Sequence, residues 1–261
     1  MILFNPQNYR RKHADCRSQE LVEKTIAFFE NKGLRQIKAD DQAMTWYEDF
    51  LEFVKQEQAF ATLLTPAAYG DGESRWDMWR LSEYNEVLAF YGLCYWYAWQ
   101  VTILGLGPIW MGDNEEAKLL AARLLREGGV FAFGLSERDH GADLYSSEMT
   151  LVPQADGSYL ARGSKYYIGN GNCAASVAVF GRVRRAEGAS ADPADDYMFF
   201  LVDPKHPGYK LVQKRGTRQW IDEQKAIEHL SMFLPESEVI ERSLVSPAQA
   251  EKKLKKLKKG A

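Results

Sequence analysis

Chemistry in this 261-residue chain has to start from side chains that ligate, attack or move protons, and these are scattered. The four histidines (His13, His140, His206 and His229) lie far apart, with no Ser/His/Asp set and no helical H-E-x-x-H. Cys16, Cys94 and Cys173 make no C-x-x-C and no Cys/His zinc cluster, and an odd, widely spaced set gives no disulfide framework. Gly169-Asn170-Gly171-Asn172-Cys173-Ala174 has the G-x-G-x-x-A spacing of a dinucleotide-binding turn. That turn must open a helix whose N-terminus meets the pyrophosphate, and the next residues, SVAVFGRV, alternate as a strand does. Metal hydrolysis, triad chemistry and dinucleotide binding therefore have no support. Taken alone, the runs 131–143 and 163–170 carry no such signature: Gly141 and Asp143 read as a turn and Tyr167 as a core aromatic.

The elements that would position these runs fall into two halves. Ser18 is placed to cap a helix reaching Asn31, with Val22, Ile26 and Phe29 on one face and Gly33 past its end. Residues 46–60 repeat the pattern through Trp46, Phe50, Phe53, Val54 and Phe60. Asp113 is placed to cap a helix with Glu115 and Glu116 in its first turn, closing at Gly128 and Gly129. From Val130 the period becomes two. The runs VFAFGL, SSEMTLV, SYLARG, KYYIG, SVAVFGRV, MFFLV, GYKLV and AIEHLSMFL are separated by turn signals such as Asp156-Gly157. Strands so spaced, with no helical pattern between them, predict an all-β barrel or sandwich. Residues 185–195 read as a polar loop.

Val87 to Met111 is 25 residues without a charge, long enough to span a bilayer. Gly105, Gly107 and Pro108 interrupt it, five of the residues from Phe90 to Trp99 are Tyr or Trp, and no lysine or arginine clusters flank it. It reads as a helix buried on nearly all sides by other helices, not as a transmembrane segment. The composition, 46% hydrophobic with a net charge of −3, is that of a globular protein able to bury a core. Residues 251–259 hold six lysines and one glutamate; the rest carries 27 basic against 35 acidic residues, a net of −8. Such a body excludes nucleic-acid binding as the leading class. The N-terminus lacks a secretory pattern, and the cysteine usage fits a reduced, cytoplasmic setting.

The run Phe131-Ala-Phe-Gly-Leu-Ser-Glu-Arg-Asp-His-Gly-Ala-Asp143 resembles the flavin-contacting signature of the acyl-CoA dehydrogenase family, close to V-T-E-P-x-A-G-S-D. Residues 112–118 (GDNEEAK) resemble the family's G-T-E-E-Q-K. Residues 156–159 and 163–170 (GSKYYIGN) resemble its D-G-x-Y and G-x-K-x-W-I-T-N. Phe200-Leu201-Val202 resembles an F-L-V strand, and Leu234-Pro235 before Val239-Ile240 its V-P and V-L. The matches fall in family order from about residue 105 to 240.

This resemblance implies an α+β multidomain fold, with an N-terminal all-α helical domain (1–128) followed by an all-β barrel domain (129–240) contacting FAD and a lysine-rich tail (241–261). It implies FAD as cofactor, α,β-dehydrogenation of acyl-CoA in fatty-acid oxidation, an electron-transfer partner, and homo-oligomers where a C-terminal helical bundle is supplied. Phe133, Leu135, Ser136, Gly141, Ala142, Tyr167, Ile168 and Gly169 are the implied cofactor-binding residues, with Ser136 keeping a hydroxyl and Tyr167 an aromatic platform. Ala142 stands where the family has serine, Gly169 where it has threonine, and Arg138 where it has proline. Each lost hydrogen bond is worth about 0.5–1.5 kcal/mol, which weakens binding without abolishing it. No glutamate in the strands offers itself as the catalytic base, and the resemblance stops at Ile240, before the family's C-terminal bundle. The expectation is therefore a truncated enzyme, impaired alone. The alternatives are a non-catalytic acyl- or flavin-binding or interaction protein on the same scaffold, and an acyl-CoA oxidase or flavin monooxygenase relative. Leu254 and Leu257 among the tail lysines offer a basic amphipathic helix, though too small an apolar area to anchor it; a solvated terminus is the simpler reading.

Overall fold

A computed structural model describes residues 5, 6, 9, 13, 15–184 and 197–210. Among the described residues seven helices come first: α1 (Cys16–Lys32), α2 (Leu34–Ala43), α3 (Glu48–Gln56), α4 (Ala59–Leu64), α5 (Met78–Tyr91), α6 (Leu93–Met111) and α7 (Glu115–Arg126). Five described strands follow: β1 (Phe131–Gly134), β2 (Thr150–Pro153), β3 (Tyr159–Arg162), β4 (Ser176–Val183) and β5 (Tyr197–Val202). Arg35–Trp46 belongs to a compact unit separate from the one holding the other helices and the sheet. It supplies most of α2, whose one buried residue is Ile37.

Two helix N-termini are capped by residues other than those expected. Asp15, not Ser18, caps α1: its carboxylate accepts from the Ser18 amide (2.8 Å) and hydroxyl (2.9 Å). An ionised acceptor outcompetes a hydroxyl at a helix N-terminus. The same carboxylate pairs with the buried Arg80 (2.7 Å). Burial would raise its pKa, but the bonds from Arg80 and Ser18 prevail and hold it at about 2. Asn114, not Asp113, caps α7 by accepting from the Ala117 amide. The single helix expected over 46–60 is two, α3 and α4, because Gln58 adopts a left-handed conformation (φ 54°) between them.

The uncharged stretch also divides. α5 ends and α6 begins at Gly92, where the chain turns extended. Gly105, Gly107 and Pro108 do not interrupt α6, which continues to Met111. Gly105 is there for proximity: a Cβ on it would meet the Ala132 carbonyl oxygen at 2.6 Å and Phe131 Cβ at 2.9 Å, so α6 lies directly on β1. Burial on nearly all sides is also corrected. Tyr95, Ala98, Trp99, Val101, Thr102, Leu106 and Ile109 face inward, while Leu93, Tyr97, Leu104 and Met111 are exposed. Among the described residues no helix is long and apolar enough to cross a membrane. The helical core is aromatic, with Phe29 stacked on Tyr91 (4.5 Å between centroids) and Trp99 against Phe60 and Tyr84.

The strands form one five-stranded sheet centred on β4. β5 runs antiparallel along one edge of β4. β1 pairs in parallel with its first half (Phe131 opposite Ser176), and β2 in parallel with its end (Thr150 opposite Arg182). β3 closes a hairpin with β2 through the predicted Asp156-Gly157 turn, where Gly157 has φ 83° and Asp156 accepts from the Ser158 amide. Among the described residues the sheet is mixed and open, and β3 and β5 do not meet; the expected strands beyond residue 210 lie outside them. KYYIG is no strand: Tyr167 (φ 63°) and Asn170 (φ 58°) coil it into turns. The first three residues of GYKLV (208–210) form no strand; the expected loop at 185–195, the rest of GYKLV, the run AIEHLSMFL and the lysine tail lie outside the described residues.

Candidate functional site

The two chemistry-bearing runs meet at the end of β1. Ser136 Oγ donates to the Tyr166 carbonyl (2.7 Å), and the Tyr166 amide donates to the Ser136 carbonyl (2.9 Å). This reciprocal stitch fixes a hydroxyl-bearing loop beside the turn that carries Tyr167, a residue 46% exposed. Leu135 and Ser136 are half-buried at the same place. Phe133 stacks on Phe199 of β5 (5.5 Å between centroids), beginning a row of rings that passes through Phe180 to Tyr197.

The other expected residues are used differently. Ile168 packs into the sheet core with Met149, Val177 and Val179. Gly169 abuts α6: a Cβ there would come within 2.8 Å of both Tyr97 Oη and Val101 Cγ2. The glycine is thus a packing requirement, and a threonine at this place would collide with α6. Gly141 and Ala142 lie on the exposed connection from Glu137 to β2, outside the stitch. Space around Gly141 is open.

Several residues that organise the site had no expected role. Asn170, buried, donates from Nδ2 to the Ala98 carbonyl of α6 and the Phe131 carbonyl of β1, both at 3.0 Å. It thereby locks the Tyr167 turn to both elements. Its sequence signal was an Asn between glycines, which tolerates positive φ. Glu137 is a buried carboxylate, accepting from Lys165 Nζ (2.6 Å), Ser147 Oγ (2.6 Å) and the amides of Glu148 (2.7 Å) and Met149 (3.1 Å). Burial pushes its pKa up, but these donors win and bring it to about 2. Lys165 is shifted downward by burial, against the raising effect of Glu137.

The donor set and the exposed rings suit a planar cofactor. The Ser136 hydroxyl donates its hydrogen to Tyr166 and keeps lone pairs to accept, while Tyr167 is partly exposed with its ring 5.0 Å from that of Tyr166. What does not fit is a hydroxyl donor at position 169, where α6 fills the space.

Residues 132–221 match the model of the acyl-CoA dehydrogenase middle domain. Through this segment the chain is similar to the acyl-CoA dehydrogenase family. A second model, described as a protein of unknown function (DUF2800), matches residues 200–260. An acyl-CoA dehydrogenase of Bacillus subtilis (strain 168) is 32% identical over 114 residues, covering 43% of this chain and 28% of that protein. Among solved structures, butyryl-CoA dehydrogenase from Megasphaera elsdenii aligns with a TM-score of 0.61 at 22% identity, over 76% of this chain and 51% of that one. An acyl-CoA dehydrogenase from Bacillus anthracis complexed with FAD aligns at 0.60 and 20% identity, over 82% and 36%. This chain thus spans about half or less of the proteins it matches. The fold, helices followed by a sheet, is acyl-CoA dehydrogenase-like, and the Ser136–Tyr166 stitch lies inside the segment that carries the family match.

Proposed function

We propose that this chain binds FAD and takes part in α,β-dehydrogenation of acyl-CoA thioesters. The observation that carries this reading is the stitch that holds the Ser136 hydroxyl beside the exposed Tyr167 ring within the family-matching segment. Bound FAD would supply the hydride acceptor for the substrate β-carbon. Ser136 Oγ would accept a hydrogen bond from the cofactor, Tyr167 would offer its ring for stacking, and Leu135 and Phe133 would shield that contact from water. Gly169 would offer its backbone alone. Gly141 and Ala142 would contribute from the exposed connection, and Ile168 would support the turn. The N-terminal domain (1–128) and the middle domain (129–240) are proposed as the working units, in the cytoplasm, with an electron-transfer partner and homo-oligomeric assembly as in fatty-acid oxidation.

The test is anaerobic titration of the FAD-reconstituted protein with acyl-CoA. Bleaching of the flavin band supports dehydrogenation. Flavin retained without bleaching supports a binding role on the same scaffold, and hydrogen peroxide formed in air on acyl-CoA addition supports an oxidase. Failure to take up FAD overturns the assignment.

A further inference from the structure

We propose that Lys165 is a positioning residue for the flavin-binding loop: its ammonium bonds to the residues on both sides of Ser136 and so fixes where the Ser136 hydroxyl points. This rests on the FAD reading above. Lys165 Nζ donates to the Leu135 carbonyl (2.9 Å) and to Glu137 Oε1 (2.6 Å), bracketing Ser136 from one point. It also lies 3.3 Å from Ser147 Oγ and 5.9 Å from the centre of the Phe180 ring. The far end of the bracket cannot drift, because the Glu137 carboxylate is held by Ser147 Oγ and by the amides of Glu148 and Met149 at the entry to β2.

The covalent neighbourhood completes the device. Lys165 precedes Tyr166, the partner of Ser136 in both stitching bonds, and lies two residues before Tyr167. One side chain therefore indexes the hydroxyl loop against the segment that bears the ring. An ion pair with side chains 8% and 6% exposed carries a desolvation cost that apolar packing would avoid, so its contribution here is geometry more than stability. A pair serving only to join two elements has no need of a third bond to a main-chain carbonyl inside the loop.

The test pairs amide exchange with flavin affinity. In the unmutated chain the Tyr166 amide is expected to exchange far more slowly than that of Gly141 on the exposed connection; equal rates would overturn the proposal without any variant. The double variant Glu137→Gln/Lys165→Met leaves no unpaired buried charge and keeps an amide oxygen for one of the Glu148 and Met149 amides, which donate to different oxygens of the carboxylate. In it, Tyr166 exchange should accelerate at least about tenfold while the core amide of Leu88 is unchanged, and FAD should bind about tenfold more weakly. Glu148→Gln, at an exposed side chain, should change neither. Tyr166 exchange that stays slow, or that rises only in step with Leu88, refutes a positioning role. If the unmutated protein binds no FAD, the functional reading fails and the exchange result alone decides the loop claim.

Discussion

Replacing Asn170 with alanine should destabilise the protein by about 2–4 kcal/mol. Its Nδ2 makes two buried hydrogen bonds, to the Ala98 and Phe131 carbonyls, each worth about 1 kcal/mol. Its backbone sits at φ 58°, where alanine costs a further 1 kcal/mol or so because it lacks the short polar side chain that lets asparagine tolerate the left-handed region. Any penalty for carbonyls left without a donor raises the total, and Thr102 Oγ1, which already donates to the Ala98 carbonyl at 2.8 Å, limits it. Urea unfolding followed by tryptophan fluorescence reads the change directly, since Trp99 packs on the same helix. Asn170→Asp separates side chain from backbone: it tolerates the left-handed conformation but turns a carboxylate oxygen toward two carbonyls. At neutral pH it should therefore cost more than alanine. Its folded pKa is raised, so its stability is recovered at low pH, where a protonated oxygen can donate, and is lost as pH rises through that pKa. An alanine variant within about 0.5 kcal/mol of wild type, or an aspartate variant no worse than alanine at neutral pH, would refute the clamp.

Gly105→Ala should lower stability by about 1–3 kcal/mol, because its Cβ would fall 2.6 Å from the Ala132 carbonyl; unchanged urea unfolding would mean α6 does not rest on β1. Gly169→Thr, which introduces the family's residue, should destabilise through Tyr97 and Val101, and Tyr97→Ala should relieve part of the loss in a double-mutant cycle; additive losses would remove the steric explanation. Acid should unfold the protein as pH falls from about 4.5 toward 2. The Glu137 pKa is depressed from 4.5 to about 2, so its contribution of about 3 kcal/mol is full above the unfolded value and lost as pH falls through the folded one. Asp15, depressed from 3.8 to about 2, acts in the same direction, and Glu137→Gln should flatten this part of the stability profile.

The helices and the strand positions were legible because their signals are local. The apolar face of α1, the acidic first turn of α7 and the Asp156-Gly157 turn each depend on neighbours a few residues away. What sequence hid was set at a distance. The one-sided burial of α6 follows from where β1 lies, and the parallel pairing of β1 and β2 with β4 follows from a connection that folds a hairpin aside. Alternation suggested a strand at KYYIG, yet the Asn170 anchor on α6 and β1 holds the segment as a turn. In the site, the family motif marked Ser136 and Tyr167, but the contacts binding their segments run through Lys165 and Glu137, 28 residues apart. Nothing in their spacing announces a pair.

The claim that Ser136 and Tyr167 form a flavin platform is tested most directly by titrating FAD into the purified chain and into its Tyr167→Ala variant while following the visible flavin band. The exposed tyrosine carries little of the fold, so the variant should remain as stable as wild type yet bind FAD about tenfold more weakly, a loss consistent with one aromatic stacking contact. Equal FAD affinity in the two proteins, or no FAD retained by either, would contradict the account.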